Sequence, residues 1–287
     1  MPVVARLDFR MDGPEFVGGV PVLKAAAALT AFHSIIDQTY LVVSGKERIT
    51  RSDREGFKLA ATRIETGSLQ AAIEIIAPAA AIGHAVFQPY GGLGGIWDIA
   101  KNSFEFLKAF ASLTHREQRP RVEAVAHEGA RQLVVVGDNN QIIVDQRVFD
   151  TATRSEPYFE SLARIVDGTH VNYISALDER DEGIVLSPEY NELLRPHAVV
   201  DEKPLTFVAR VFRLDVRART GRLRVLGAQP EGDYPFSIAG DQPLEPFAAA
   251  LASQSASVRA LRKIVVHPSG TETVSSYLVL EIRPLPG

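Results

Sequence analysis

The feature that most constrains this chain is a run of 23 residues without a formal charge, from Ile75 to Trp97. A run of this length crosses a bilayer if it is helical. Pro78, Pro89 and two Gly-Gly steps interrupt it, and lipid cannot satisfy the backbone groups that such breaks leave unpaired. Its small residues allow helices to pack closely. Packed copies in an oligomer can therefore tolerate the Pro and Gly breaks that would disrupt a lone helix. We therefore expect the run to be hidden among neighbouring copies or in lipid.

A helix is predicted directly after this run, over Trp97–Leu113, because apolar residues recur there at helical spacing. Together they form a predicted membrane or pore segment, whose assigned residues are Ile82, His84, Phe87, Leu93, Gly94, Trp97 and Phe104. His84 is titratable and would face the axis of an oligomeric pore. In a soluble core it would instead be a hydrogen-bonded histidine, and both interpretations stay open.

Periodicity predicts an α+β fold in four parts. Apolar and polar residues alternate over Val3–Arg10, recur at helical spacing over Val22–Val43, and alternate again over Phe57–Ile76. We predict a mixed N-terminal β-α-β-β module at 1–70, the apolar Gly/Pro-broken helical segment at 71–115, an α/β continuation of the body at 116–200, and a small β-barrel at 203–287.

The second half of the chain supplies the remaining predicted elements. Gly137–Asn140 separates two apolar runs with residues that tolerate positive φ, which predicts a β-hairpin. A helix is predicted from Ser155 to about Val166, and a linker over Arg195–Pro204. From Phe207 onward, five or six alternating segments surround one short helix, Pro243–Gln254. This pattern predicts an SH3-like or OB-like barrel.

Composition and motifs argue against an enzyme. The chain has no cysteine, which excludes disulfides, thiolate metal sites and cysteine nucleophiles and fits a reducing cytoplasm. Its seven histidines show no metal-ligand spacing, and the acidic Asp178–Glu182 loop lacks the pattern of a calcium site. Gly91–Gly95 matches neither the Walker A nor the dinucleotide-binding fingerprint, and the alternative to a nucleotide-binding loop is a hinge or close-packing segment. We predict no catalytic residue, no metal and no cofactor, while an enzyme with a dispersed site stays a third alternative.

The best ligand signal is a set of arginines in the predicted barrel. Residues 203–287 hold 11 Lys or Arg and 7 Asp or Glu, a net charge of +4, whereas residues 1–202 carry −8. Strand alternation around Thr220-Gly221 places five guanidinium groups on one face: Arg213, Arg217, Arg219, Arg222 and Arg224. Such a face suits phosphate oxygens and predicts an oligonucleotide-binding site. Alternatively, it is a solvated surface whose arginines pair with the acidic body.

Several landmarks resemble a group of bacterial anti-phage defence proteins that act at membranes, the Hailong-type effectors. They are the breaks at Asp12–Glu15 and Glu65–Ser68, the Gly137–Asn140 hairpin, and Thr220–Val225 in the terminal barrel. The resemblance implies a homo-oligomer, with a tetramer as one arrangement. It also implies a nucleotidyltransferase partner and inhibition by a bound nucleic-acid oligomer. It places the protein in the bacterial cytoplasm or at the inner membrane.

Two hypotheses of different classes follow. In the first, a pore-forming effector is gated by single-stranded DNA or another oligonucleotide bound to the barrel, and its membrane action follows activation. In the second, the chain is a soluble oligomeric scaffold or nucleic-acid-binding module without membrane activity, and the apolar run is a buried subunit interface.

Overall fold

Helices and strands both build this chain, which the computed structural model describes over residues 3–65, 69–77, 95–114, 121–127, 130–137, 140–227 and 230–285. The residues divide into two compact units. One comprises Met1–Arg195 with Pro268–Gly270, and the other comprises Pro196–His267 with Thr271–Gly287. The second contains a closed five-stranded barrel, so the prediction of an α+β fold with a small C-terminal barrel is confirmed.

The elements of the first unit follow one another as expected for a mixed α/β body. In chain order they are β1 (Val3–Asp12), α1 (Val22–Ser44), α2 (Arg51–Gly56), β2 (Lys58–Glu65), β3 (Leu69–Ile76), α3 (Gly95–Thr114), β4 (Arg121–His127), β5 (Ala130–Gly137), β6 (Asn140–Asp145), α4 (Gln146–Ile165), β7 (Tyr173–Leu177), β8 (Gly183–Leu186) and α5 (Glu189–Leu193). A short 3-10 helix, Pro14–Phe16, follows β1.

A five-stranded antiparallel sheet forms the centre of this unit, in the order β2-β3-β1-β7-β8. The apolar residues of its alternating strands share one core with α1, α3 and α4, as the periodicity requires. Phe9 of β1 contacts Phe32 of α1 with ring centroids 5.3 Å apart, and Phe32 in turn contacts Trp97 of α3. Strands β4, β5 and β6 form a separate three-stranded antiparallel sheet, which contains the predicted hairpin.

Two boundaries and the position of one proline in the first unit differ from the sequence prediction. The first residues of the predicted 71–115 helical segment belong to β3, where burial alternates and both edges are hydrogen-bonded to neighbouring strands. Helix α4 begins nine residues before Ser155, because the Asp145 carboxylate accepts a hydrogen bond from Arg147 N and caps the helix there. Pro157 lies inside this helix rather than in its first turn.

The barrel consists of β10 (Leu205–Asp215), β11 (Thr220–Leu226), β12 (Gly232–Ile238), β13 (Ala256–Val266) and β14 (Glu272–Pro284). The strand order is β10-β11-β12-β14-β13, and β13 pairs back onto β10 to close it. Strands β12 and β14 are parallel, and α6 (Glu245–Ala252) lies between β12 and β13 in the chain. Phe247 of α6 faces Phe236 in the barrel core. Of the two predicted shapes, this connectivity is the OB-like one.

The boundary between the units lies at Pro196, seven residues before the predicted start of the barrel. A short strand, β9 (His197–Val200), occupies the segment that the sequence predicted to be a linker. It pairs with the second half of β13, which extends beyond the stretch that pairs with β10. The predicted linker is therefore wrong over these four residues, because β13 provides an open edge for them.

Candidate functional site

Three strands of the barrel present their outward side chains in regular rows. Strand β11 pairs with β10 on one side and with β12 on the other, so one residue from each strand forms a row across the surface. We name these the oxygen row (Asp215, Thr220, Ser237), the arginine row (Arg213, Arg222, Pro235) and the ion-pair row (Arg210, Arg224, Asp233). Successive rows are about 7 Å apart, since each strand rises roughly 3.3 Å per residue.

A β-bulge in β10 alters the spacing of this face. The pairing with β11 shifts between Val211 and Arg213, so that Phe212 is an extra residue opposite Arg222. Phe212 and Arg213 are consequently both exposed, and 44% of the Phe212 surface is accessible. The bulge therefore places an exposed aromatic ring among the arginines.

Close packing under the arginine row depends on Gly221. A Cβ atom at this position would lie 2.3 Å from Arg213 O and 2.5 Å from the Phe236 ring. Neither neighbour has room to move, because one is backbone and the other is a core aromatic side chain. Glycine is thus required at this position of β11, next to Arg222, which pairs with Arg213 on β10.

A cleft of about 530 Å³ lies beside these rows. The described charged residues that line it are Arg213, Arg222, Lys263 and Asp215. Hydroxyl groups line it as well, on Thr220, Ser237, Ser275 and Ser276. Lys263 comes from β13 and pairs with Ser276 of β14, so all five barrel strands contribute to what we name the barrel cleft. Three cations against one carboxylate give the cleft a positive balance, which favours anions over cations.

Two pairs of arginines face each other directly across β10 and β11, and like charges opposite one another are unfavourable. In the ion-pair row the repulsion is offset, because Arg224 donates to both oxygens of Asp233 at 2.6 and 2.9 Å. This bidentate hydrogen bond, with the charge of Arg222 nearby, keeps the pKa of Asp233 below its ordinary value. In the arginine row, Arg213 and Arg222 have no carboxylate partner among the described residues.

The structure separates the five predicted arginines. Arg213 and Arg222 line the barrel cleft, while Arg217 is exposed in the turn after β10. Arg219 has a left-handed backbone, φ 53°, and its Nη2 donates to the carbonyls of Gly240 and Gln242. Arg224 is engaged by Asp233. Strand β10 ends at Asp215, so strand alternation does not assign Arg217 and Arg219 to the rows that contain Arg213, Arg222 and Arg224. A ligand-binding role for each of the five arginines stays a prediction.

Sequence reasoning missed two residues of this site. Phe212 was not assigned as a stacking aromatic, because a bulge reverses strand alternation and leaves no sequence signal. Lys263 was not assigned because it lies far along the chain in β13, and only closure of the barrel brings it to the cleft. The alternation of β13 gives no clear signal at this point, because Leu261, Arg262 and Lys263 are all half-buried before the core residue Ile264.

The predicted membrane or pore segment falls partly outside the described residues, which do not include Ile82, His84, Phe87, Leu93 and Gly94. Trp97 and Phe104 belong to the core of the first unit, with 2% and 1% of their surfaces exposed. Trp97 Nε1 donates to Asp178 at 3.1 Å, and Phe104 stacks on Phe159. Within the described ranges, no helix has both the length and the apolar character needed to cross a membrane.

The acidic loop at 178–182 has a structural role. Burial raises the pKa of Asp178, but hydrogen bonds from Lys101 and from the backbone N–H groups of Arg180 and Glu182 outweigh it, so the pKa lies below its ordinary value. The carboxylate thereby ties α3 to the turn between β7 and β8. In the part of the chain that the structure describes, no group of three or more acidic or histidine side chains is arranged to hold a metal ion.

The barrel cleft is thus the described site whose chemistry most clearly calls for a ligand. Comparison with known proteins identifies no relative: no protein-family model, no curated protein and no solved structure matches the chain.

Proposed function

We propose that this chain binds a single-stranded oligonucleotide in the barrel cleft, as the ligand-binding part of an oligomeric effector. The observation that carries the proposal is the facing pair Arg213 and Arg222, which share the cleft with Lys263 and form no salt bridge with a carboxylate among the described residues. An anion placed between these groups removes the repulsion of the arginine pair. Guanidinium groups bind phosphate oxygens through two parallel hydrogen bonds, which makes phosphate the favoured anion.

A nucleic acid fits this surface better than a simple anion does. Phe212 adjoins the arginine row and exposes its ring, and bases stack on such rings regardless of sequence. Unpaired bases are available for stacking only in single strands, which favours these over a duplex. Beyond the ion-pair row, the next facing pair on β10 and β11 is Val208 and Leu226, which is exposed and apolar and provides further surface for a chain of nucleotides.

The binding test compares the arginine pair with a matched pair elsewhere. In the full chain, Arg213→Glu with Arg222→Glu is expected to weaken binding of a short fluorescent single strand by about 100-fold or more, since each lost charge-assisted contact costs roughly tenfold. The measurement is fluorescence anisotropy over a salt titration. Wild-type affinity is expected to fall with salt with a slope of about 0.7 per phosphate contacted.

Arg48→Glu with Arg51→Glu is the control, because it makes the same change in net charge at exposed positions of the first unit. It is expected to leave the affinity within a few-fold of wild type. Phe212→Ala distinguishes a nucleic acid from any polyanion, since it weakens binding of the oligonucleotide but not of inorganic polyphosphate. Equal affinity of the Arg213/Arg222 variant and the control for the oligonucleotide would refute the assignment.

The effector part of the proposal is that release of the ligand lets an oligomer act on membranes through the apolar run. It is supported by the 23 uncharged residues and by the sequence resemblance. A second candidate, a nucleic-acid-binding module without membrane activity, is favoured by a specific observation: Trp97 and Phe104 pack in the core of the first unit. Both candidates use the barrel cleft, and membrane leakage distinguishes them.

A further inference from the structure

The oxygen row gives the barrel cleft a second chemical character beside its arginines. Asp215, Thr220 and Ser237 lie side by side on β10, β11 and β12, one row beyond Arg213 and Arg222. All three residues line the cleft, and they bring one carboxylate and two hydroxyl groups. The cleft is therefore cationic in one row and oxygen-rich in the next.

Asp215 needs an explanation in a site built for phosphate, because its charge repels that ligand. One of its oxygens accepts a hydrogen bond from Ala218 N and fixes the turn between β10 and β11. A carboxylate has several acceptor positions, so that bond leaves acceptor capacity directed at the cleft. In the same row, Ser237 Oγ has no hydrogen-bond partner in the described part of the chain. Because Ser237 Oγ is buried, the groups of this row that a ligand can reach are the Asp215 carboxylate and the Thr220 hydroxyl.

The group that satisfies this row must both donate and accept hydrogen bonds. It must also lie about 7 Å from the phosphate, two residues along the strands. The ribose 2′-hydroxyl is a donor and an acceptor on the sugar next to the phosphate, and it is what distinguishes RNA from DNA. It can donate to Asp215 and accept from Thr220, whereas the deoxyribose of DNA offers neither bond.

We infer that the barrel cleft selects ribonucleotides, so that single-stranded RNA binds more tightly than DNA of the same sequence. The inference rests on the proposed function and concerns the ligand class of the same site. The arginine row supplies affinity for either strand, and the oxygen row supplies the preference. Asp215 is the main determinant, because a hydrogen bond to a charged acceptor is stronger than one to a neutral hydroxyl.

The test uses the full chain and three labelled single strands of one sequence: RNA, DNA and 2′-O-methyl RNA. Wild type is expected to bind RNA about 10-fold more tightly than DNA, as one charge-assisted hydrogen bond allows. The 2′-O-methyl strand lacks the donor and is expected to bind like DNA. Asp215→Asn is expected to abolish the preference while it tightens DNA binding slightly, because the asparagine still accepts from Ala218 N but carries no charge.

Asp241→Asn is the matched control, an exposed carboxylate outside the cleft, and it is expected to keep the RNA preference. The ratio of the two affinities is the readout, since removal of any nearby carboxylate changes both affinities together. Equal binding of RNA and DNA by wild type, with DNA binding still dependent on Arg222, overturns this inference and leaves the proposed function standing. Failure of every strand to bind overturns both.

Discussion

Arg219 shows how an arginine in a basic surface contributes to the fold. Its Nη2 spans the carbonyls of Gly240 and Gln242 at 2.8 and 2.7 Å, so it fastens the loop after β12 to the turn after β10. We expect Arg219→Ala to lower the free energy of unfolding by about 1 kcal/mol, because charge-assisted hydrogen bonds at a half-buried site are lost. Urea denaturation measures this, and oligonucleotide affinity is expected to change little.

Arg217 provides the comparison for that variant, as it is exposed in the same turn. Arg217→Ala is expected to leave the free energy of unfolding unchanged. If Arg219→Ala instead preserved stability and weakened oligonucleotide binding as strongly as Arg222→Gln, Arg219 would belong to the ligand site, as the sequence alone predicts.

At the residue scale, the sequence identifies the arginines of the site as a set but does not rank them. Alternation correctly predicts that Arg222 and Arg224 point outward, because Leu223 and Val225 are core residues. It cannot predict that Asp233 engages Arg224 or that two loop carbonyls engage Arg219, since these partners come from other elements. Asp233 and the two loop carbonyls therefore determine which arginine side chains are without a protein partner that competes with a ligand.

Among the elements, α2 depends on one carboxylate. Asp53 and Thr50 form a reciprocal capping box at its start, and Asp53 also accepts hydrogen bonds from Lys46 Nζ and Tyr40 Oη. The bond from Lys46, followed by those from Thr50, holds the pKa of Asp53 well below its ordinary value near 3.8. A carboxyl whose pKa is depressed by folding stabilises the protein above its unfolded pKa and loses that effect as pH falls toward the folded pKa.

Asp53→Asn is therefore expected to lower the free energy of unfolding at pH 7. The difference from wild type is expected to shrink as the pH falls below about 4, where wild type begins to lose the contribution. Urea denaturation at a series of pH values measures both curves. Glu47→Gln, at an exposed position nearby, is the control. A difference between wild type and Asp53→Asn that does not depend on pH would contradict the assigned role.

Most elements follow from local patterns, and those missed depend on distant partners. Helix α1 is predicted almost to the residue, because its apolar spacing is regular and Gly45, with φ 67°, ends it in the left-handed region. Strand β9 is missed because its four residues carry no strong alternation and are fixed by pairing with β13, more than sixty residues later. Its sequence alone resembles a linker.

For the whole molecule, the sequence predicts four parts, of which the last is a small β-barrel, but not how the barrel closes. The number of strands and the short helix follow from alternation and turn residues. The parallel pairing of β12 with β14, and the return of β13 to β10, are contacts between segments far apart in the chain. Those pairings create the cleft, because they bring Lys263 to the same cleft as Arg213 and Arg222. The candidate site thus depends on the order in which the barrel strands pair, and the alternation of apolar and polar residues does not predict that order.

The membrane proposal is decided at the scale of the whole molecule, since it concerns what the assembled chain does when its ligand is bound or removed. If the apolar run acts on lipid, purified protein freed of oligonucleotide is expected to release dye from liposomes, and added oligonucleotide is expected to suppress the release. Leu93→Asp and Gly94→Asp are expected to abolish it, because a charge in the bilayer centre costs several kcal/mol. Leu251→Asp, at an exposed leucine of α6, is the control and retains leakage. Leakage in neither ligand state, with oligonucleotide binding intact, would identify the chain as a binding module without membrane activity, consistent with the core positions of Trp97 and Phe104.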